Sequence, residues 1–168
     1  MHTTLAGWQY PLLIAVMYTV TAFGGMPWLL PLMGLVMFLV RRVYGLRILL
    51  LWSGYTLAIA TLFQGIRFMV GRPRPLSAAA GYPSGHTVAA IALYGLLIYL
   101  WWPRQGSWRS WKPAVCGGLL LVIVGVGVSR LLLEKHWFSD VASAYLAGGF
   151  YLITCTWVLE RRQTREGA

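Results

Sequence analysis

Acidic residues are what this chain has least of: Asp and Glu together number 4 in 168 residues, against 14 Lys and Arg. Charge of either sign is scarce, at 11% of the chain, while 58% is apolar and mean hydropathy is +0.66. Both scarcities argue against a water-soluble domain. Long apolar runs parted by short basic loops place the chain in a membrane instead. That arrangement also removes the nucleic-acid partner that a net charge of +10 would suggest on a soluble domain, because the basic residues follow membrane topology. Cysteine is nearly absent. Cys116 and Cys155 lie inside apolar runs without metal-ligand spacing, so they read as small buried hydrophobes and not as a disulfide or metal site. No repeat, low-complexity stretch or linker marks a second unit, and residues 1–168 read as one domain. Met1-His-Thr-Thr-Leu carries no Lys or Arg and no cleavage pattern, so no signal peptide is expected.

What is present is a series of apolar segments. About 20 helical residues cross a hydrocarbon core. Five segments approach that length, at 27–40, 47–67, 86–102, 113–133 and 140–159. A sixth at 10–23 is short and reads as a tilted span in preference to an interfacial helix. The fold expected is an all-α, polytopic transmembrane bundle of five to six spans. Its charges sort by side. Arg41, Arg42 and Arg47, then Arg104, Arg109 and Lys112, then Arg161, Arg162 and Arg165 make up nine of the fourteen basic residues. Alternating spans put these nine on one face, and the excess of Lys and Arg in cytoplasmic loops makes that face cytoplasmic. Trp101, Trp102, Trp108 and Trp111 cluster on the same side, as an interfacial belt would. Small residues at Gly117, Gly118, Gly125 and Gly127, and at Ser143, Ala144, Ala147 and Gly148, suit close helix packing.

The remaining cations, Arg67, Arg72, Arg74, Arg130 and Lys135, lie at the opposite helix ends, inside three short polar stretches. In the first, Pro73 and Pro75 end a helix shortly after Arg67. Arg72 reads as a cation snorkelling to the headgroups. Arg67 sits deeper, where an arginine costs about 2.5–3.5 kcal/mol even on the lenient scale, and so calls for a ligand. In the second stretch, Pro83-Ser84-Gly85 precede the apolar run that begins at His86. Ser84 suits a helix N-cap, Gly85 allows close approach to the backbone, and the helix start favours an anion. In the third, His136 and Asp140 are four apart and share a face if the segment is helical. A carboxylate there fixes the imidazole tautomer and leaves the other nitrogen as a nucleophile. Arg130 offers a planar fork for phosphate oxygens. Glu134 and Lys135 read as headgroup-level charges. Asp140 and Glu134 are the only acidic residues on this face, so no carboxylate cluster is available for a metal.

These residues resemble the type 2 phosphatidic acid phosphatase superfamily of integral-membrane lipid phosphatases. The family pattern is Lys-x6-Arg-Pro, then Pro-Ser-Gly-His, then Ser-Arg-x5-His-x3-Asp. Here Arg67-x6-Arg74-Pro75, Pro83-Ser84-Gly85-His86 and Ser129-Arg130-x5-His136-x3-Asp140 follow it in order over roughly residues 20–160, with Arg67 in place of the usual Lys. Arginine keeps the charge of lysine but not its geometry. The resemblance implies that His136 attacks phosphorus to form a phosphohistidine, that Asp140 orients the ring, and that His86 protonates the leaving oxygen. It implies that Arg67, Arg74, Arg130, Ser84 and Gly85 surround the phosphoryl oxygens. No cofactor or metal is implied. The partners are a lipid phosphate or diphosphate substrate and the membrane lipids, at the outward face of a bacterial cytoplasmic membrane with the C-terminus cytoplasmic. Undecaprenyl diphosphate is the first-choice substrate, ahead of phosphatidylglycerophosphate, phosphatidate or transfer to a lipid acceptor. Vanadium-dependent haloperoxidases share the constellation but are soluble. An anion channel or silent lipid-binding protein would need no His–Asp pair beside a second His.

Overall fold

The computed structural model describes residues 10–101 and 111–166, with side chains as far as Arg161. Trp102, Arg104, Trp108 and Arg109 lie outside the described residues, as do the side chains of Arg162 and Arg165. Proline opens three of the helices, at a position where its missing N–H costs nothing: α1 (Pro11–Ala22), α2 (Met26–Val70) and α4 (Lys112–Leu132). Between them stands α3 (Gly85–Trp101), and α5 (Phe138–Glu166) closes the chain. Each of the five expected spans overlaps a helix or helical arm, four of them to within about four residues at either end, while α5 runs seven residues past the expected 159.

A straight α2 of 45 residues would be about 67 Å long. It is not straight. Gly45 has φ 82° and ψ 174°, a left-handed conformation that needs glycine and breaks the helix into arms 26–44 and 46–70. Met26 and Arg67 line one groove, so the second arm folds back along the first. Arg41, Arg42 and Arg47 thereby mark the hairpin end. The described part of α1, 12 residues or about 18 Å, is shorter than a hydrocarbon core of about 30 Å. It ends in the Phe23–Gly25 turn that starts α2.

At the centre, α3 packs chiefly on α5 and α4. One core cluster joins both α2 arms to α3 and α5 through Val36, Val40, Trp52, Leu96, Tyr151 and Leu159. A second joins α3 to α4 through Ala90, Ile91, Tyr94, Ile123 and Val126. Polar pairs add to the packing: Tyr55 with Thr154 and Thr56 with Tyr151, both at 2.6 Å, tie the second arm of α2 to α5. Side chains at Gly125, Gly127 and Gly148 would run into Val20, Tyr145 and Ile91, so these glycines do set helix approach. Gly117 and Gly118 do not, since both face open space. The outer surface is apolar too, with Phe68, Met69, Leu12 and Leu146 almost wholly exposed. Helices apolar on every side suit a bilayer. The molecule is an integral membrane protein.

A two-stranded hairpin, β1 (Pro73–Arg74) with β2 (Ser77–Ala80), interrupts the helices. Strands of two and four residues are too short to leave an alternating pattern, and the sequence reading contained no strand here.

Candidate active site

Arg67 stands in the last turn of α2. The helix stops at Gly71, whose φ of 56° lets its N–H return to the Arg67 carbonyl at 3.1 Å, before either proline is reached. The β-hairpin then carries Arg74 back over the bundle. Gly81 N–H closes this strap on the Arg72 carbonyl at 2.9 Å. A Cβ on Gly81 would lie 2.8 Å from Arg74 Cγ and 3.4 Å from both His136 Nδ1 and Asp140 Oδ2. Glycine thus lets the strap lie directly on the His–Asp pair.

In the Pro83–His86 turn, Ser84 is fully buried and directly precedes α3. Its carbonyl accepts from Val88 N–H, its N–H donates to the Asp140 carbonyl at 3.1 Å, and its Oγ accepts from Thr87 Oγ1 at 3.0 Å. Ser84 therefore couples this turn to α5. Arg67 Nη2 donates to the Pro83 carbonyl at 3.1 Å and would lie 3.0 Å from a Cβ at position 85. The space that Gly85 leaves open is occupied by the Arg67 guanidinium, not held free for a ligand alone. His86 rests against the α1–α2 turn: its Nε2 would be 3.7 Å from a Cβ on Gly25.

The end of α4 builds the rest. Glu134, at φ 50°, adopts the left-handed conformation after the C-cap residue Leu133. Glu134 N–H reaches the Leu131 carbonyl at 2.9 Å and Lys135 N–H the Arg130 carbonyl at 3.0 Å, the double closure of a Schellman turn. His136 N–H joins the same Arg130 carbonyl at 3.2 Å, so one turn fixes the arginine and the histidine together. Asp140 is the third residue of α5, and its Oδ2 accepts from Trp137 N–H at 3.0 Å, as in a capping box. The same oxygen lies 3.5 Å from His136 Nδ1, within ion-pair range but longer than a good hydrogen bond. Such contacts commonly tighten only when substrate binds. The pair leaves His136 Nε2 as the nitrogen not directed at Asp140.

All eight residues singled out from the sequence meet at this end of the bundle. Among the described residues, Nε of Arg67, Arg74 and Arg130 is buried without a protein acceptor, an arrangement that calls for an anion. His86 lies within reach of the charges of Arg130, Arg74 and Arg67. Burial, followed by the Arg130 and Arg74 charges, holds the His136 imidazole below its ordinary pKa, and Asp140 only partly offsets them. That environment favours the neutral imidazole at pH 7.

Arg72 was read as a snorkelling cation, and the structure gives it a different place. It reaches Asp140 Oδ1 at 3.3 Å, donates to Ser139 Oγ and stacks 5.5 Å from the centre of the Trp137 ring. Nothing in its spacing signalled this contact, because the strap that delivers it is irregular. Thr21 was also missed. Its Oγ1 accepts from Arg130 Nη1 at 3.1 Å across 109 residues of sequence.

Comparison with known proteins agrees with this geometry. Residues 49–164 match the family model described as the PAP2 superfamily. Phosphatidylglycerophosphatase B of Escherichia coli is 38% identical over 80 residues, which is 48% of this chain and 29% of that protein. Lipid A 1-phosphatase of Porphyromonas gingivalis is 36% identical over 83 residues, 49% of this chain and 17% of that protein. The chain thus aligns with less than a third of each of these relatives. The crystal structure of a transmembrane PAP2-type phosphatidylglycerolphosphate phosphatase from Bacillus subtilis superposes with a TM-score of 0.72 at 26% identity, covering 90% of this chain and 78% of that one. With a match over most of its length and the three motif stretches gathered at one end of the bundle, the chain belongs to the PAP2 superfamily.

Proposed function

We propose that the protein is a metal-independent lipid phosphatase that works through a phosphohistidine at His136. One observation carries this reading: an apolar groove of about 430 Å³ between the two α2 arms and α3 reaches the site at Arg67 and Gly85. Arg67, Pro83 and Gly85 line the groove at its polar end, while Leu30, Ala60 and Phe63 line it further along the bundle. A phosphate at the arginines and an apolar chain in the groove describe one amphipathic substrate.

His86 takes up a proton when the anionic phosphate sits among the arginines; His136 Nε2 attacks phosphorus, the bond from phosphorus to the lipid oxygen breaks, and His86 gives that oxygen its proton. Water then attacks the phosphohistidine, His86 takes back a proton, the P–N bond breaks and inorganic phosphate leaves. Asp140 stabilises the charged ring in between. Arg67, Arg74 and Arg130, with the Ser84 hydroxyl and Gly85 N–H, hold the phosphoryl oxygens as charge develops on them.

The sequence reading put undecaprenyl diphosphate first. The names of the Escherichia coli and Bacillus subtilis relatives favour phosphatidylglycerophosphate, which we now place ahead of it. The basic hairpin end at Arg41, Arg42 and Arg47 supports an outward-facing site in a bacterial cytoplasmic membrane, with the C-terminus cytoplasmic.

The test is phosphate release by purified protein in lipid nanodiscs containing EDTA, with each lipid offered separately. Release from phosphatidylglycerophosphate is expected, with acid-labile label trapped on the protein from a 32P-labelled substrate. His136→Ala should lose roughly 10³-fold or more in rate, and all of the trapped label. Near-normal turnover by that variant would remove the covalent mechanism. Release from undecaprenyl diphosphate alone would restore the first choice.

A further inference from the structure

The helix α1 lies ahead of the family-model match, which begins at residue 49. Its burial is odd. Of its twelve residues ten are Leu, Ile, Val, Ala, Met, Tyr or Pro and two are Thr, yet the one that is buried is Thr21. An apolar helix docked by hydrophobic packing would bury a leucine. This one instead buries a hydroxyl against a cation, with Thr21 8% and Arg130 7% exposed. At that burial water does not readily replace the bond from Arg130 Nη1 to Thr21 Oγ1.

The neighbouring turn is held just as closely. A Cβ on Gly24 would lie 2.6 Å from Val126 Cγ1 and 3.2 Å from both the Cβ and the carbonyl of His86. The Phe23 carbonyl accepts from Tyr94 Oη at 2.9 Å. α1 is thus pinned by α3 and α4 at its C-terminal end, and from there Thr21 reaches Arg130. The fork of an arginine has five donors. Committing one Nη1 bond to Thr21 fixes the plane of the guanidinium, while its buried Nε has no protein acceptor among the described residues.

We propose that Thr21 is a positioning residue for phosphoryl transfer, its hydroxyl oxygen setting the angle at which Arg130 meets the phosphoryl group. This rests on the reading of Arg130 as a phosphoryl ligand. Three variants separate position from packing. Thr21→Val keeps the shape and loses the acceptor; Thr21→Ser keeps the acceptor and loses the methyl group; Thr21→Ala loses both. Steady-state phosphate release and inhibition by orthovanadate, a mimic of phosphorus during transfer, are measured for each in nanodiscs.

The expected result is a drop in kcat of about 10- to 100-fold for Thr21→Val, with KM changed much less. Vanadate inhibition should weaken in parallel. Thr21→Ser should stay within about threefold of the native rate, on the expectation that a retained hydroxyl keeps most of the bond. The opposite order, Val active and Ser impaired, would mean that Thr21 serves packing alone and would overturn the proposal. So would a Val variant whose kcat and vanadate inhibition match the native protein. Native protein that releases no phosphate from any lipid phosphate would instead defeat the phosphatase reading itself, and the two failures are distinguishable.

Discussion

Asp140 serves three partners with two oxygens. Oδ1 meets Arg72, while Oδ2 caps α5 through Trp137 N–H and faces His136 Nδ1. The carboxylate therefore fixes a helix start, a loop arginine and a ring tautomer together. Asp140→Asn keeps the volume and loses the charge. By analogy with an Asn replacing the aspartate of a hydrolase triad, kcat should fall roughly 10³- to 10⁴-fold. The pH profile gives a sharper check. In the proposed mechanism protonating His136 destroys the nucleophile, and its pKa is held low by burial and by Arg130 and Arg74, with Asp140 opposing them. Activity should thus persist below the ordinary histidine range before acid removes it. Removing the opposing carboxylate lowers the pKa further, so the acid limb of kcat/KM should move to lower pH in Asp140→Asn. A limb that stays in place or moves upward would mean that Asp140 does not set the charge of His136. The roles at this scale were only partly legible. His86, His136, Asp140 and the motif arginines stood out because charge is rare in an apolar chain. Arg72 and Thr21 did not, because each acts through a contact across 68 or 109 residues that no local spacing encodes.

Helices were readable from length and apolarity, but the devices that end them were read less well. Pro73 and Pro75 suggested where α2 stops, and a left-handed Gly71 stops it earlier. The His136 turn uses Glu134 in a conformation where glycine is usual, so composition gave no sign of it. Gly85 shows how a helix start and a side chain from another helix depend on each other. Glycine is a poor helix residue, and alanine there would by propensity favour α3 by up to about 1 kcal/mol, and by less at a helix end. Its Cβ, however, would sit 3.0 Å from Arg67 Nη2, so the guanidinium would have to shift by a few tenths of an ångström against its bond to the Pro83 carbonyl. Gly85→Ala should therefore leave the thermal midpoint in detergent unchanged or slightly raised while phosphate release falls about 10- to 100-fold. A variant with full activity would show that Arg67 relocates freely and that its present position is immaterial.

At the scale of the whole molecule, the break at Gly45 decides the layout. It turns one 45-residue helix into a hairpin, so that Arg67 and Met26 share the site end while Arg41, Arg42 and Arg47 mark the other. The continuing helices agree: α3 leaves the site and α4 returns to it, and Trp101 meets Trp111 edge-to-face at 5.7 Å at the far end. The sequence made this alternation legible, since charged loops punctuate apolar runs. It left the order of packing unread, because helices apolar on every side carry no stripe to identify their neighbours. Orientation then reduces to which end faces the cytoplasm. Lys and Arg in short loops resist translocation, so the hairpin end should be cytoplasmic and the strap end outside. Val43 and Ala79 are exposed at the two ends, and neither is charged, so a cysteine at either position leaves the topogenic charges intact. The native Cys116 and Cys155 are buried. In intact cells a membrane-impermeant maleimide should label Ala79→Cys at once, and Val43→Cys only after the membrane is opened. The reverse pattern would turn the site toward the cytoplasm. On the proposed function the protein would then draw on lipid phosphates of the inner leaflet, and the same groove beside Arg67 would serve a different pool of substrate.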